Sequence, residues 1–322
     1  MYKIIGEISS GKFNCINNSC FGVCRFNFDF TRLSGCFDGF FSNRQRQYIS
    51  ALTDPSVYCA TVSVYVLNAA EMKKAFGKTS NAKTILKKMK DLLERNHAVD
   101  TSLYKALKEN SEDSYNYIRE ILDEAKNELE DELYHDIIGL FSTIFFDTIL
   151  FGVYLHNGSK YYPDGIYLCP ENILDECRIC EGRISIDDLM VSVLVHEYTH
   201  FLHINSIGSY KRLIGNNKIC RSAVLETVAE SIEALFIRDK LSYSCFEWIQ
   251  KHSEGNKKMF PGWGYKGWSI IEKYCSFNDF YEEELIAKII ALSLKDWKDA
   301  YVFINTIYEL NLLHQQRTAG CP

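Results

Sequence analysis

The sequence predicts an α+β fold, in which a small β-sheet lies over one long apolar helix and the C-terminal part is helical. Two kinds of pattern support this prediction. Short segments rich in β-branched or aromatic residues, such as 57–67 and 152–155, are typical of strands. Longer segments with apolar residues at three- and four-residue steps, such as 82–95 and 222–236, are typical of helices.

Composition and charge narrow the class of protein. The chain has 322 residues, of which 47% are hydrophobic and 24% are charged, as in an ordinary globular protein that can bury a core. Its net charge of -6 gives no long-range attraction to phosphate backbones, so we expect no nucleic-acid partner. The first residues lack the long apolar stretch and the cleavage site of a secretory signal. We therefore expect a cytoplasmic location.

The N-terminal part mixes strand and helix patterns. Strands are expected at 26–30, where phenylalanines alternate with polar residues, and at 57–67, which is rich in β-branched residues. Helices are expected at 82–95 and 111–136, each with one apolar stripe. The many acids of the second helix predict a solvated face rather than a cation site.

Residues 137–155 are apolar enough to raise the question of a membrane span. The segment is of marginal length for crossing a bilayer, and Asp147 near its middle would be costly in lipid. A buried helix or strand is therefore the favoured interpretation, and a membrane is not expected as a partner.

The cysteines are expected to be buried thiols. A reducing compartment disfavours disulfides among the 12 cysteines of the chain. An N-terminal group of four could supply the thiolates of a zinc site, but its spacing is unlike the paired knuckles of zinc modules. The pair Cys177 and Cys180 lacks the strand-to-helix context of a thioredoxin-like site. The N-terminal group consists of Cys15, Cys20, Cys24 and Cys36.

The pattern changes near residue 150, which we take as the boundary between an N-terminal mixed region of unassigned role (1–150) and a C-terminal region (151–322). The C-terminal region opens with a predicted hairpin. Its two short strands, Gly152–Leu155 and Ile166–Cys169, flank a link that is rich in turn residues.

A helix that starts after Ser185 carries the most informative motif, His-Glu-Tyr-Thr-His at 196–200. His196 and His200 are four positions apart, so both imidazoles project from one face of the helix and can share one metal ion. Glu197 lies about 100° further round the axis, where it can act as a general base without binding the metal. The preceding residues are strongly apolar, and burying two histidines and a carboxylate there is costly unless something coordinates them.

Two histidines leave a zinc ion short of a third protein ligand. A second apolar helix, at 222–236, carries Glu226, Glu230 and Glu233. Three acids on one face of a core helix are hard to explain as a solvated surface. Glu226 and Glu230 both remain candidates for the third ligand.

With these motifs the chain resembles the gluzincin branch of the zincin metallopeptidases, in which HExxH is followed on a later helix by a liganding Glu in an ExxxD or ExxxE pattern. Residues 226–230 match that pattern, with Glu at 230 in place of the commoner Asp. The resemblance implies one zinc ion held by His196, His200 and Glu226. It also implies that Glu230 hydrogen-bonds a liganding histidine.

The resemblance, which extends to small bacterial predicted zinc proteases, also implies substrate-facing elements. In zincins an edge strand before the active-site helix binds extended substrate. Tyr265 is implied as a donor to the tetrahedral oxyanion, with a packed aromatic turn as the alternative. His203 shares the face of His196 and is expected to be a core histidine. The residues in the place of the edge strand are Gly165, Ile166, Tyr167 and Leu168.

These residues predict zinc-dependent hydrolysis of peptide bonds in peptide or protein substrates, with Glu197 as general base. Two alternatives stay open. The zincin scaffold could serve as a non-catalytic binding protein, or the chain could be a membrane-associated peptidase.

Overall fold

The computed structural model of the chain has an α+β fold with a five-stranded sheet, as the sequence predicts. The residues that the structure describes are 2–16, 30–38, 55–76, 82–109, 150–180, 182–207, 218–240 and 282–307, with parts of 121–140 and 244–251. The strands are β1 (Lys3–Ser9), β2 (Lys12–Cys15), β3 (Val62–Val66), β4 (Gly152–Leu155) and β5 (Gly165–Leu168). The helices named here are α1 (Thr31–Asp38), α2 (Pro55–Cys59), α3 (Ala69–Phe76), α4 (Ala82–Arg95), α5 (Ser102–Glu109), α6 (Pro170–Ile179), α7 (Ile186–Ile207), α8 (Lys218–Lys240) and α9 (Glu282–Lys295). Residues 297–307 are also helical.

The sheet runs in the order β2-β1-β3-β5-β4. Three antiparallel pairs, β1 with β2, β1 with β3 and β4 with β5, accompany one parallel pair, β3 with β5. In the parallel pair, Val64 lies beside Ile166 and Val66 beside Leu168. Strands from both sides of residue 150 therefore join one sheet, and the boundary proposed there falls in the connection between β3 and β4.

Both faces of the central strands are covered. On one face, Val64 and Ile166 belong to the core that contains α7. On the other face, the rings of Tyr65 and Tyr167 stack with their centroids 4.9 Å apart. A strand that is buried on both faces can be apolar throughout, which explains why β5 shows no alternation of polar and apolar residues.

The centre of the main core is α7. Its first turn is capped by Ser185, whose Oγ accepts a hydrogen bond of 2.9 Å from the N–H of Asp188, so the predicted cap is confirmed. The apolar residues before the His-Glu-Tyr-Thr-His motif are buried, and α8 packs along α7. These buried residues of α7 are Leu189, Met190, Val191, Val193, Leu194 and Val195.

A second hydrophobic cluster lies within residues 82–140, which we call the helical unit. Met89 and Leu93 of α4 and Leu103 of α5 are fully buried in it. Leu122 and Ile137 from the following segment complete the cluster. The helical unit belongs to the connection between β3 and β4.

The N-terminal predictions are partly correct. The helix at 82–95 is confirmed as α4. Only Val62–Val66 of the expected strand at 57–67 is a strand, since α2 begins at Pro55, whose fixed φ suits the first turn of a helix. The helix expected at 111–136 is interrupted, because residues 127–130 are not helical. Of the strand expected at 26–30, residues 26–29 lie outside the described residues.

Within the part of the chain that the structure describes, no helix is both long and apolar enough to span a bilayer. Of the apolar segment 137–155, Ile137 is buried in the helical unit and residues 152–155 form β4. Most of the remaining segment lies outside the described residues.

Candidate metal centre

Helices α7 and α8 bring two histidines and a carboxylate together. His196 and His200 lie on successive turns of α7, and their Nε2 atoms are 3.1 Å apart. Glu226 of α8 faces them, with Oε2 3.2 Å from Nε2 of His196 and Oε1 3.5 Å from Nε2 of His200. Of the two candidates for the third ligand, the structure therefore places Glu226 with the histidines. These atoms form a His-His-Glu group that could hold a metal ion.

The separations of these atoms fit a shared ion. In a tetrahedral zinc site with metal–ligand distances of roughly 2.0–2.2 Å, the ligand atoms lie about 3.4 Å from one another. The three observed separations, 3.1, 3.2 and 3.5 Å, bracket that value. The side chains are also largely buried, so the atoms face one another rather than bulk water.

The protons available at the centre show that a positive charge is needed between His196 and Glu226. Nδ1 of His196 lies 3.0 Å from Oε2 of Glu233, so a neutral His196 with its proton on Nδ1 presents a bare Nε2 to Glu226. Two lone-pair atoms at that distance repel each other unless a cation lies between them. Either a second proton on His196 or a metal ion can supply this charge.

The pKa values follow from this arrangement. Burial alone would lower the pKa of His196, but hydrogen bonds with Glu226 and Glu233 raise it well above its ordinary value. Burial alone would raise the pKa of Glu226, but the positive charge of His200 and the hydrogen bonds from both histidines hold it well below its ordinary value. The carboxylate of Glu226 is therefore ionised at the centre, and a positive charge beside it stabilises this form.

The partner of His196 is not the residue that the sequence suggests. Glu230 was expected to hydrogen-bond a liganding histidine, but the carboxylate that contacts Nδ1 of His196 belongs to Glu233, which is 8% exposed. The two nitrogens of an imidazole point in different directions. Since Nε2 faces Glu226, Nδ1 reaches a residue two turns further along α8, and that residue is Glu233. Glu230 itself is buried.

Glu233 is held from its other side by Ser192. The hydroxyl of Ser192 donates a short hydrogen bond to Oε1 of Glu233. Ser192 lies four residues before His196, so it occupies the same face of α7 one turn earlier. Glu233 lies seven residues after Glu226 and shares its face of α8. These spacings were visible in the sequence, but only the antiparallel pairing of the two helices shows which side chains meet.

Glu197 lies beside the His-His-Glu group and contacts the sheet. It is 8% exposed, and its Oε2 accepts a hydrogen bond of 2.6 Å from the N–H of Tyr154 in β4. Burial raises the pKa of its carboxyl group above the ordinary value, although the positive charges of His200 and His196 oppose this shift. A buried carboxylate with a raised pKa next to possible metal ligands is suited to accept and return a proton.

The predicted edge strand is wrong. Gly165–Leu168, the strand β5, lies between β3 and β4 and is paired on both sides, so its backbone cannot accept another strand. The outer strand on this side of the described sheet is β4. The prediction failed because the sequence indicated a hairpin without showing that β3 pairs with its second strand.

The pairing of β4 shows which backbone groups face outward. The N–H of Cys169 donates to the carbonyl of Phe151 at 2.8 Å, which makes this pair a hydrogen-bonded one. Hydrogen-bonded and non-hydrogen-bonded pairs alternate along an antiparallel ladder. The backbone groups of Gly152 and Tyr154 therefore point away from β5, and the N–H of Tyr154 points to Glu197.

His203 is a buried core histidine, as expected. The hydroxyl of Ser293 in α9 donates to the carbonyl of Ile290 at 2.6 Å, so its oxygen accepts from Nε2–H of His203 at 2.8 Å. That bond leaves Nδ1 of His203 without a proton. Burial lowers the pKa of His203 to about 3, and the charges of His200 and Arg221 act in the same direction. His203 thus joins α7 to α9 as a neutral group.

The structure does not describe every residue that the sequence singles out. Tyr265 is outside the described residues, as are Cys20 and Cys24 of the N-terminal cysteine group. Cys177 is buried in α6 as a free thiol, and burial raises its pKa to about 11. Cys180 is a half-buried free thiol.

Comparison of the chain with protein-family models, with curated proteins and with solved structures finds no match. A function is therefore inferred from the residues of α7, α8 and β4.

Proposed function

We propose that the protein is a zinc-dependent peptidase of the gluzincin type, which hydrolyses peptide bonds in peptide or protein substrates. The observation that carries the proposal is the position of Glu197. A buried carboxylate with a raised pKa lies on the same helix as two histidines, and Glu226 faces those histidines from α8. This is the set of groups that metal-assisted hydrolysis requires.

His196, His200 and Glu226 would hold the zinc ion. Two imidazoles and one carboxylate form a ligand set of catalytic zinc sites, which use three protein ligands and leave one position open. When bound, zinc acts as a Lewis acid that polarises a carbonyl group and lowers the pKa of a water molecule. A site with four protein ligands would favour a structural ion, and the group found among the described residues has three.

Glu197 is the proton carrier in this proposal. Its carboxylate takes a proton from the attacking water and then gives that proton to the leaving amine. Both steps need a group whose charged and neutral forms are both accessible near neutral pH, and burial moves Glu197 toward that condition. Glu233 keeps His196 in the orientation that presents Nε2 to the ion.

The outer edge of β4 is the platform proposed for the substrate. Gly152 and Tyr154 direct backbone groups away from β5, and β4 lies against the helix that carries Glu197. An extended peptide that added to this edge would pass beside the metal centre, with its backbone aligned by main-chain hydrogen bonds. β4 thus takes over the role that the sequence suggested for β5.

Zinc content and peptide cleavage test the proposal together. The purified protein is expected to bind one zinc ion per chain and to cleave members of a peptide library derived from whole proteomes. Glu197→Gln should keep the zinc and lose hydrolysis by roughly 10²–10⁴-fold. Equal turnover by this variant rules out the proposed role of Glu197. A wild type that binds zinc and peptides but cleaves none is the non-catalytic binding protein.

A further inference from the structure

Strand β4 lies unusually close to the side chain of Glu197. A Cβ atom added to Gly152 would lie 2.6 Å from Cγ1 of Val193, 3.0 Å from Cγ of Glu197 and 3.2 Å from its Oε1. The first of these distances is shorter than real contacts of a Cβ atom, and the second is at the limit. With any residue other than glycine at position 152, either β4 or α7 would therefore have to shift.

The approach of β4 has a direct consequence for Glu197. Two residues after Gly152, the N–H of Tyr154 donates to Oε2 of Glu197 at 2.6 Å. A hydrogen bond from a backbone amide to a carboxylate is short and relatively strong, and the amide belongs to a strand that β5 fixes in place. Oε2 is thereby held by the sheet.

We infer that Gly152 and the Tyr154 amide are positioning groups that fix the carboxylate of Glu197 for catalysis. The inference rests on the proposed function for its catalytic consequence, but the contact between β4 and Glu197 can be tested separately. With Oε2 held by Tyr154, Oε1 is the oxygen that exchanges the proton with water and with the leaving amine. The same strand that receives the substrate then sets the position of the general base.

This arrangement also limits how a peptide can pair with β4. The N–H of Tyr154 donates its hydrogen bond to Glu197, so it is not available to the substrate. The outward groups that remain on the strand are the carbonyl of Tyr154 and the N–H and carbonyl of Gly152. Substrate binding and alignment of the general base therefore use different groups of one strand.

A pair of substitutions tests the close approach by kinetics. In Gly152→Ala, the new methyl group should push β4 and Glu197 apart and lower kcat at least about tenfold, with zinc content unchanged. Val193→Ala alone should leave turnover near the wild-type value. The double variant, in which the contact with Val193 is relieved and the contacts with Glu197 remain, should recover only part of the lost kcat. An undisturbed kcat in Gly152→Ala overturns the inference.

The Tyr154 amide provides a readout that needs no activity. In protein labelled with ¹⁵N-tyrosine, the amide signal can be assigned with Tyr154→Phe, and its hydrogen exchange can be followed in the wild type. Glu197→Ala and Gly152→Ala should each shift this signal and speed its exchange at least about tenfold, while Val193→Ala should not. Identical signals and exchange rates in Glu197→Ala and the wild type show that the contact is absent.

The two measurements separate two failures. If no peptide is cleaved by the wild type but the Tyr154 amide responds to Glu197→Ala, the proposed peptidase activity is wrong and the contact stands. If peptides are cleaved but the amide does not respond, the peptidase stands and the positioning role of β4 is wrong.

Discussion

The helical unit and the pair of helices α7 and α8 build their cores from different residues. In the helical unit, the buried side chains among the described residues are aliphatic or aromatic, as at Met89 and Leu93. In α7 and α8, Glu197, His200 and Glu233 are buried among apolar neighbours. Burying ionisable groups costs free energy unless they are paired or bind a metal.

We expect this difference to separate stability from metal binding. The helical unit gains free energy from its apolar contacts and presents no buried charge among the residues described. In the α7–α8 pair, the cost of burying charged groups close together offsets part of the free energy gained from apolar contacts. Substitutions in the first region should therefore change unfolding alone, and substitutions in the second should change metal binding.

The strongest effect should come from removing the proposed ligand on α8. At a free zinc concentration of a thousandfold its Kd, the ion should stabilise the wild type by about 4 kcal/mol. Glu226→Gln should abolish most of this zinc-dependent stabilisation, because it removes the carboxylate that faces both histidines. Thermal unfolding with and without zinc, combined with calorimetric titration, measures the change.

Glu230→Gln is the matched control, since Glu230 lies one turn away on the same helix and is also buried. It should retain most of the zinc-dependent stabilisation. If Glu230→Gln loses zinc and Glu226→Gln does not, the assignment of the third ligand is reversed.

The second-largest effect should come from a core substitution in the helical unit. Leu93 is fully buried between helices, so Leu93→Ala should lower the free energy of unfolding by about 3 kcal/mol. Zinc affinity should stay within a few fold of the wild type, because the proposed ligands lie on α7 and α8. Denaturant titration and zinc titration of the same preparation measure both quantities. A loss of zinc affinity in parallel with stability would show that the two regions are not separate.

The sequence predicted the helices of the site better than the partners of its residues. The spacing of His196 and His200 fixes their common face, because helical geometry is local. The choice of Glu233 over Glu230 as the partner of His196 depends on how two helices pair, which no local pattern records.

The strands show the same limit. The hairpin of β4 and β5 follows from its turn residues and was predicted correctly. The parallel pairing of β5 with β3 joins segments that are about a hundred residues apart, and it made β4 the outer strand instead of β5. The helix α2 shows that a β-branched run can also be overridden locally, here by a helix that begins at Pro55.

The third effect concerns Glu233, the partner of His196 within the α7–α8 pair. Glu233→Gln should weaken zinc binding by about 10–100-fold, equivalent to about 2 kcal/mol, because His196 loses the charge that orients its ring. Ser192→Ala should have a smaller effect in the same direction, since Ser192 acts on His196 only through Glu233. Competition with a chelator of known affinity measures both. Unchanged zinc affinity in Glu233→Gln would mean that this contact does not orient the ligand.

The weakest effect should come from His203, whose imidazole is buried in its neutral form. Its pKa is about 3 in the folded protein and about 6.5 when unfolded, so the folded state binds fewer protons between these values. Its contribution to stability is therefore complete above pH 6.5 and is lost as the pH falls below it, by roughly 1 kcal/mol per pH unit at first. His203→Gln, which can still donate to Ser293, should remove this dependence. The measurement is the difference in unfolding free energy between variant and wild type from pH 7 to pH 5, in which the titration of the other groups cancels. A difference that does not change with pH would show that His203 takes up a proton within the folded protein.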